Sequence, residues 1–199
     1  MNFEEFFIKN KNEYIEMKET LSNIFMLNQS MPNQVFHREY NGFLFGEYHA
    51  MFQEEFWKSL QMFAQKAGDQ YILLAELDNY YNERMERYEW AKIPVNLSYE
   101  DYLDILNAEP CEDGYIGLVH YSCKLVFTSP SLQWGIWGEW EQELYVFACK
   151  ENFKSEFKES HLTVAFQLDE DLVDYIFEGY RDKEVAKSFY EELLRNYKN

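Results

Sequence analysis

The sequence predicts an α+β fold: a helix-rich N-terminal half packed on an antiparallel meander sheet, followed by two C-terminal helices. Three observations carry this. Apolar residues recur at steps of three and four through much of residues 2–107. From Tyr115 the pattern changes to alternation and holds to Cys149. After Asp169 the i, i+4 spacing returns. No Gly/Ser/Pro-rich linker divides the 199 residues, so they read as one domain over 1–199, helical to about 110 and sheet-forming from about 115.

In chain order, residues 2–28 carry one apolar stripe (Phe3, Phe7, Tyr14, Met17, Leu21, Phe25) and predict a helix that Asn10–Asn12 can split. Pro32 ends that pattern. Asn41-Gly42 carries the type I′ signal of a short hairpin within 35–48. Tyr48, Phe52, Phe56, Leu60 and Phe63 predict a helix over 47–67, closed by Gly68. Asp69 then stands as N-cap of a second helix over 70–90, with Leu74, Leu77, Tyr81, Met85 and Tyr88 in register. A strand over 71–77 competes and is set aside, because the helical period continues to Tyr88. Pro94 extends its neighbours, and Ser98 with Asp101 caps a helix to about Asn107.

The meander is expected as strands near 116–128, 132–137 and 140–149. A single strand from Leu132 to Cys149 would run roughly 60 Å, so a turn is needed. Gly138-Glu139 offers a type II′ turn that would pair Trp137 with Trp140. Trp137, Trp140, Leu144 and Val146 would then face the core, with Trp134, Ile136, Glu141 and Glu143 on the other side. Residues 150–160 read as a charged loop or frayed helix and 161–168 as a strand. Asp169 caps a helix through Phe177 that Gly179 ends, and Val185, Phe189, Leu193 and Tyr197 line a last helix over 182–197.

Composition excludes several functions. A formal charge of −18, from 36 acids against 18 bases, repels nucleic-acid phosphates and anionic lipid. It favours a basic protein partner through steering, although acids on a solvated skin are its ordinary cause. No basic, apolar leader opens the chain and no apolar run approaches the roughly 20 residues of a membrane helix, so a cytoplasmic protein is expected. Three cysteines, Cys111, Cys123 and Cys149, fit reduced thiols better than a disulfide frame.

Catalytic chemistry finds little purchase. His120 and Cys123 with Cys111, Cys149 and His161 lack the tight pairing of a zinc site, and nothing local activates a thiolate. HExxH, GxGxxG, the phosphate-binding GxxxxGK[ST] and GxSxG are all absent. No catalytic residue, metal or cofactor is expected. Arg84 and Arg87 sit among Glu83, Glu86 and Glu89 as expected of salt links along a helix.

The expected partner-binding set is Trp134, Trp137, Glu139, Glu141 and Glu143, aromatic anchors beside charges that set register. The set depends on exposure, since buried tryptophans anchor nothing. In size and acidity the chain resembles the small acidic cytosolic inhibitors and immunity proteins that accompany bacterial toxins. That likeness implies a non-enzymatic inhibitor of a basic toxin or nuclease. The competing expectation is an enzyme or ligand-binding protein whose 17 Phe and 16 Tyr line a pocket with convergent carboxylates. A homodimer through an edge strand is the third.

Overall fold

The computed structural model describes residues 3–108, 117–159, 162 and 170–198. The α+β class holds, but the first half contributes more strand than its spacing suggests. Phe3–Glu5 is a single 3-10 turn. Asn10 then accepts a hydrogen bond from the Asn12 amide at 2.7 Å and starts helix α1, Lys11–Leu21. The stripe expected over 2–28 is thus cut at Asn10–Asn12, and Ile24 and Phe25 are buried beyond the helix end.

Strand β1, Tyr40–Glu47, replaces the expected hairpin. Neither Asn41 nor Gly42 adopts positive φ, so no type I′ turn forms. Instead, the pairing register shifts between Tyr40 and Gly42, and the chain runs straight on. A 3-10 segment, Tyr48–Phe52, leads into helix α2, Glu54–Ala67. Gly68 ends α2 at φ +79°, the left-handed conformation a helix-terminating glycine supplies cheaply. Phe56, Trp57, Leu60 and Phe63 are buried on one face of α2, each worth about 1.5–3 kcal/mol relative to exposure.

The helix expected over 70–90 does not form. Strand β2, Tyr71–Glu76, takes its place, with strands β3 (Tyr81–Asn82), β4 (Arg87–Tyr88) and β5 (Trp90–Pro94). Asp69 caps nothing; its carboxylate accepts from the Ser131 amide at 3.1 and 3.2 Å. Ile72 and Leu74 pack in one core while Leu73 and Ala75 pack in the other. A strand covered on both faces is apolar at every position, and Tyr71–Glu76 therefore lacks the alternation that distinguishes a strand from a helix. Arg87 is also not on a helix surface: it is 1% exposed and pairs with Glu89 and Glu4.

Helix α3, Tyr99–Leu106, forms as expected, with the complete Ser98/Asp101 capping box. The expected long strand over 116–128 begins instead as a short helix α4, Leu118–Tyr121, before strand β6, Lys124–Thr128. Strand β7 is Trp134–Glu139 and strand β8 is Leu144–Lys150, giving the expected three-strand meander. A 3-10 stretch follows over Glu151–Glu159. Helix α5, Glu170–Gly179, precedes α6, Lys183–Tyr197, whose N-cap Asp182 accepts from the Glu184 amide. Phe189, Leu193 and Tyr197 are buried on α6, while Val185 is exposed and Ala186 replaces it in the core. The strand expected over 161–168, the turns at 109–114, Cys111, His161 and the Asp169 cap lie outside the described residues.

The six main strands form one antiparallel sheet in the order β1-β8-β7-β6-β2-β5, beside the two-stranded β3-β4 ribbon. One sheet face packs α2 and α3; the other packs α1, α5 and α6. At the β5 edge, Ile8 donates to the Trp90 carbonyl at 2.8 Å and Lys92 donates to Phe6 at 3.0 Å, which covers that edge.

Candidate functional site

Of the expected partner-binding residues, Glu139, Glu141 and Glu143 lie at the end of the sheet where β2 and β7 finish and β6 and β8 begin, while Trp134 opens β7 at the opposite end, paired with Cys149. They do not share a surface. Trp134 and Trp137 are fully buried, on opposite sheet faces, and neither can anchor a partner. Glu139 is only 4% exposed. Gly138 and Glu139 remain in the strand, where Trp137 pairs with Val146 and Glu139 with Leu144. The expected Trp137–Trp140 pair is therefore absent.

The turn comes two residues later than expected. Trp140–Gln142 makes a 3-10 turn, and Glu143 closes it at φ +52°. The three acids expected to alternate on one strand thus separate: Glu139 stays in β7, nearly buried in the wall of a cleft, while Glu141 and Glu143 stay exposed on the connector. Trp140 leaves the sheet and is 45% exposed. It meets Tyr48 and His49 edge to face, at centroid distances of 5.9 and 5.0 Å. The connector is held at several points. Trp140 donates to the Cys123 carbonyl at 2.9 Å, and the Glu143 carbonyl accepts from the Tyr48 amide at 2.9 Å. Tyr175 donates to that same carbonyl at 3.0 Å, and Tyr180 donates to Gln142 Oε1 at 2.6 Å.

Two clefts flank this connector and share Glu141 and Gln142. One, of about 120 Å³, lies against Tyr175, Ile176 and Tyr180 of α5 and the residues just after it. The other, of about 150 Å³, is lined by Met31, Asp78, Cys123, Lys124, Glu139 and Glu141 among others. Lys124 stands opposite Glu139 across the β6–β7 pair, but its ammonium pairs with Asp78 at 3.4 Å.

Burial pushes the Glu139 carboxyl up from its ordinary value; bonds from the Trp137 indole and the Met31 amide, and the charge of Lys124, pull it back, while Asp78 adds to the rise. Behind the cleft, burial pushes Glu76 up to about 7, against the amides of Asn79, Asp78 and Lys124. Glu76 Oε2 has no hydrogen-bond partner among the described residues. Burial raises the Cys123 thiol, and Glu76, Asp78 and Glu141 raise it further against Lys124. Burial also holds Cys149 up at about 12. Neither thiol is activated as a nucleophile. His120 lies on α4 rather than on a strand with Cys123. Among the described residues, no group of three His, Cys, Asp or Glu side chains is placed to hold a metal ion.

The aromatic excess is spent mainly inside the two cores. Trp57 stacks on Tyr102 at 4.5 Å and Phe63 packs against Phe147 at 4.8 Å. A broader groove of about 750 Å³ has aromatic walls at Phe36, Tyr40 and Phe43, but Arg38, His37 and Lys198 line it and, among the described residues, no carboxylate side chain does. Asp78, Lys124, Tyr175 and Tyr180 were not marked by their sequence context. Glu76 carries one usable signal, a carboxylate that closes the apolar run YILLA.

No family model, no curated protein and no solved structure matches the chain. Among the described residues, no helix is long and apolar enough to cross a membrane.

Proposed function

We propose that this protein is a non-enzymatic, acidic protein-binding domain that captures a basic partner on the β7–β8 connector. In its sharpest form it is a cytoplasmic, immunity-type inhibitor of a basic toxin or nuclease. The observation that carries the reading is Trp140, a large aromatic 45% exposed beside the exposed carboxylates of Glu141 and Glu143. An aromatic anchor supplies contact area at low entropy cost, and the flanking charges steer and orient a basic surface. The hydrogen bonds that hold the connector reduce the cost of ordering it on binding. The net charge of −18 adds long-range attraction that should weaken as salt rises.

The aromatic-pocket alternative draws less support. The two acid-lined clefts at the connector, about 120 and 150 Å³, and a third of about 270 Å³ walled by Glu13, Glu16 and Tyr71, fall below the roughly 300 Å³ at which small-molecule sites begin. The test is affinity capture from the native host with wild type, Trp140→Ala and Glu141→Lys. Loss of one and the same basic protein from both variants supports the reading. Undiminished capture by both removes the connector as the docking surface.

A further inference from the structure

We infer that the cleft lined by Glu139, Asp78 and Glu141 is a receptor for one arginine side chain, with Glu139 as the buried counter-charge. This rests on the protein-binding reading and specifies what the partner inserts beside Trp140.

Glu139 is the observation that separates this cleft from an ordinary acidic surface. The residue is 4% exposed and lines the cleft. Both of its hydrogen bonds, from the Met31 amide at 2.8 Å and from Trp137 Nε1 at 2.7 Å, end on Oε1. Oε2 accepts no hydrogen bond from any described residue. A carboxylate offers about four lone-pair sites, so about half of this group's capacity is left open to the cleft. The nearest built-in cation does not fill it, because the Lys124 ammonium goes to Asp78. The lining holds three carboxylates, Asp78, Glu139 and Glu141, against the single ammonium of Lys124.

The guest's chemistry follows from these groups. A volume of about 150 Å³ suits one side chain rather than a folded segment. A guanidinium is planar, is more weakly hydrated than an ammonium, and presents a fork of donors that matches carboxylate oxygens. It can therefore satisfy Glu139 Oε2 in a cleft whose wall also holds Asp78 and Glu141. Arginine is also the cation most enriched at the centres of protein interfaces.

The Trp137 indole donates directly to Glu139, so its N–H resonance reports on that carboxylate. The experiment is a titration of 15N-labelled protein with N-acetyl-arginine amide, followed through the indole N–H signals. N-acetyl-citrulline amide serves as the neutral isostere and N-acetyl-lysine amide as the other cation. The expected result is a saturable shift of the Trp137 signal with arginine amide, half-complete at a concentration on the order of millimolar. Glu139→Gln and the surface variant Glu141→Gln should each weaken it about tenfold.

A stationary Trp137 signal, or an equal response to citrulline amide, overturns the proposal. Equal binding of lysine amide overturns the guanidinium assignment. Failure of the titration while partner capture still depends on Trp140 removes the cleft assignment alone. A successful titration with capture indifferent to Trp140 removes the docking reading alone.

Discussion

Trp137 Nε1 donates to Glu139 Oε1 at 2.7 Å, from two residues earlier on the same strand. The same oxygen accepts from the Met31 amide at 2.8 Å, which ties the loop after α1 to the end of β7. Removing the acceptor strands two donors in a dry site. Glu139→Ala should cost about 2–4 kcal/mol, and Glu139→Gln, which keeps an amide oxygen, less than about 1.5 kcal/mol. Urea unfolding of both variants checks this. An equal loss in the two would point to charge rather than hydrogen bonding.

Glu76 should impose a slope of stability on pH. Its folded carboxyl titrates at about 7 against 4.5 for the free group. Between these values the folded state keeps a proton that the unfolded state has released, so stability falls as pH rises through the window. The expected loss is roughly 3 kcal/mol by pH 8. Glu76→Gln should remove that part of the slope and be the more stable protein above pH 7. Denaturant midpoints of wild type and variant from pH 5.5 to 8 test it, and parallel curves would exclude Glu76 as the source.

Arg87 is buried over the Phe7 ring, with its guanidinium 3.7 Å from the centroid, and pairs with Glu89 and Glu4. Its Nη2 also donates to the Ala108 carbonyl at 2.8 Å. Arg87→Ala leaves the buried Glu89 without its counter-ion and should cost about 3–5 kcal/mol. Adding Glu89→Gln should restore part of that loss, because the uncompensated charge goes with it. A thermal-shift double-mutant cycle reads the coupling, and strict additivity would mean the pair does not act as a unit.

Gly46 on β1 has no room for a side chain. A Cβ there would lie 2.3 Å from Cζ of the buried Tyr145 ring on β8. At Gly138 the obstruction is the flexible end of Met51, whose Cε would lie 2.4 Å away. Gly46→Ala should therefore destabilise by about 1–3 kcal/mol, and Gly138→Ala by less. Equal midpoints in chemical unfolding would contradict this ordering.

Local signals keep their meaning where a few neighbouring residues complete the interaction. Ser98 and Asp101 form their capping box and Gly68 closes α2, each within a few residues of sequence. Alternation likewise identified the meander. Signals failed where a distant partner changes their meaning. Asn41-Gly42 has hairpin chemistry, yet pairing of Tyr40 and Gly42 with β8 keeps the segment in one strand, with the register shift at Asn41. Residues 71–76 lie between β5 and β6 with cores on both faces, so their apolar run carries no period.

The amino-acid order alone carries the α+β class, the acidic balance, the closing cap of α2, the capping box of α3, and the meander's existence. It also placed Trp137, Leu144 and Val146 on one buried face and Trp134 and Ile136 on the other, but not the exposure of Trp140 or the burial of Trp134. That depends on where β7 turns, and the turn depends on pairing across the sheet. With Glu139 still paired to Leu144, the chain reverses at Trp140–Gln142, which buries Trp137 and brings Trp140 to the surface. In a period-two structure, one residue of register exchanges the two faces, and only contacts far apart in sequence set that register.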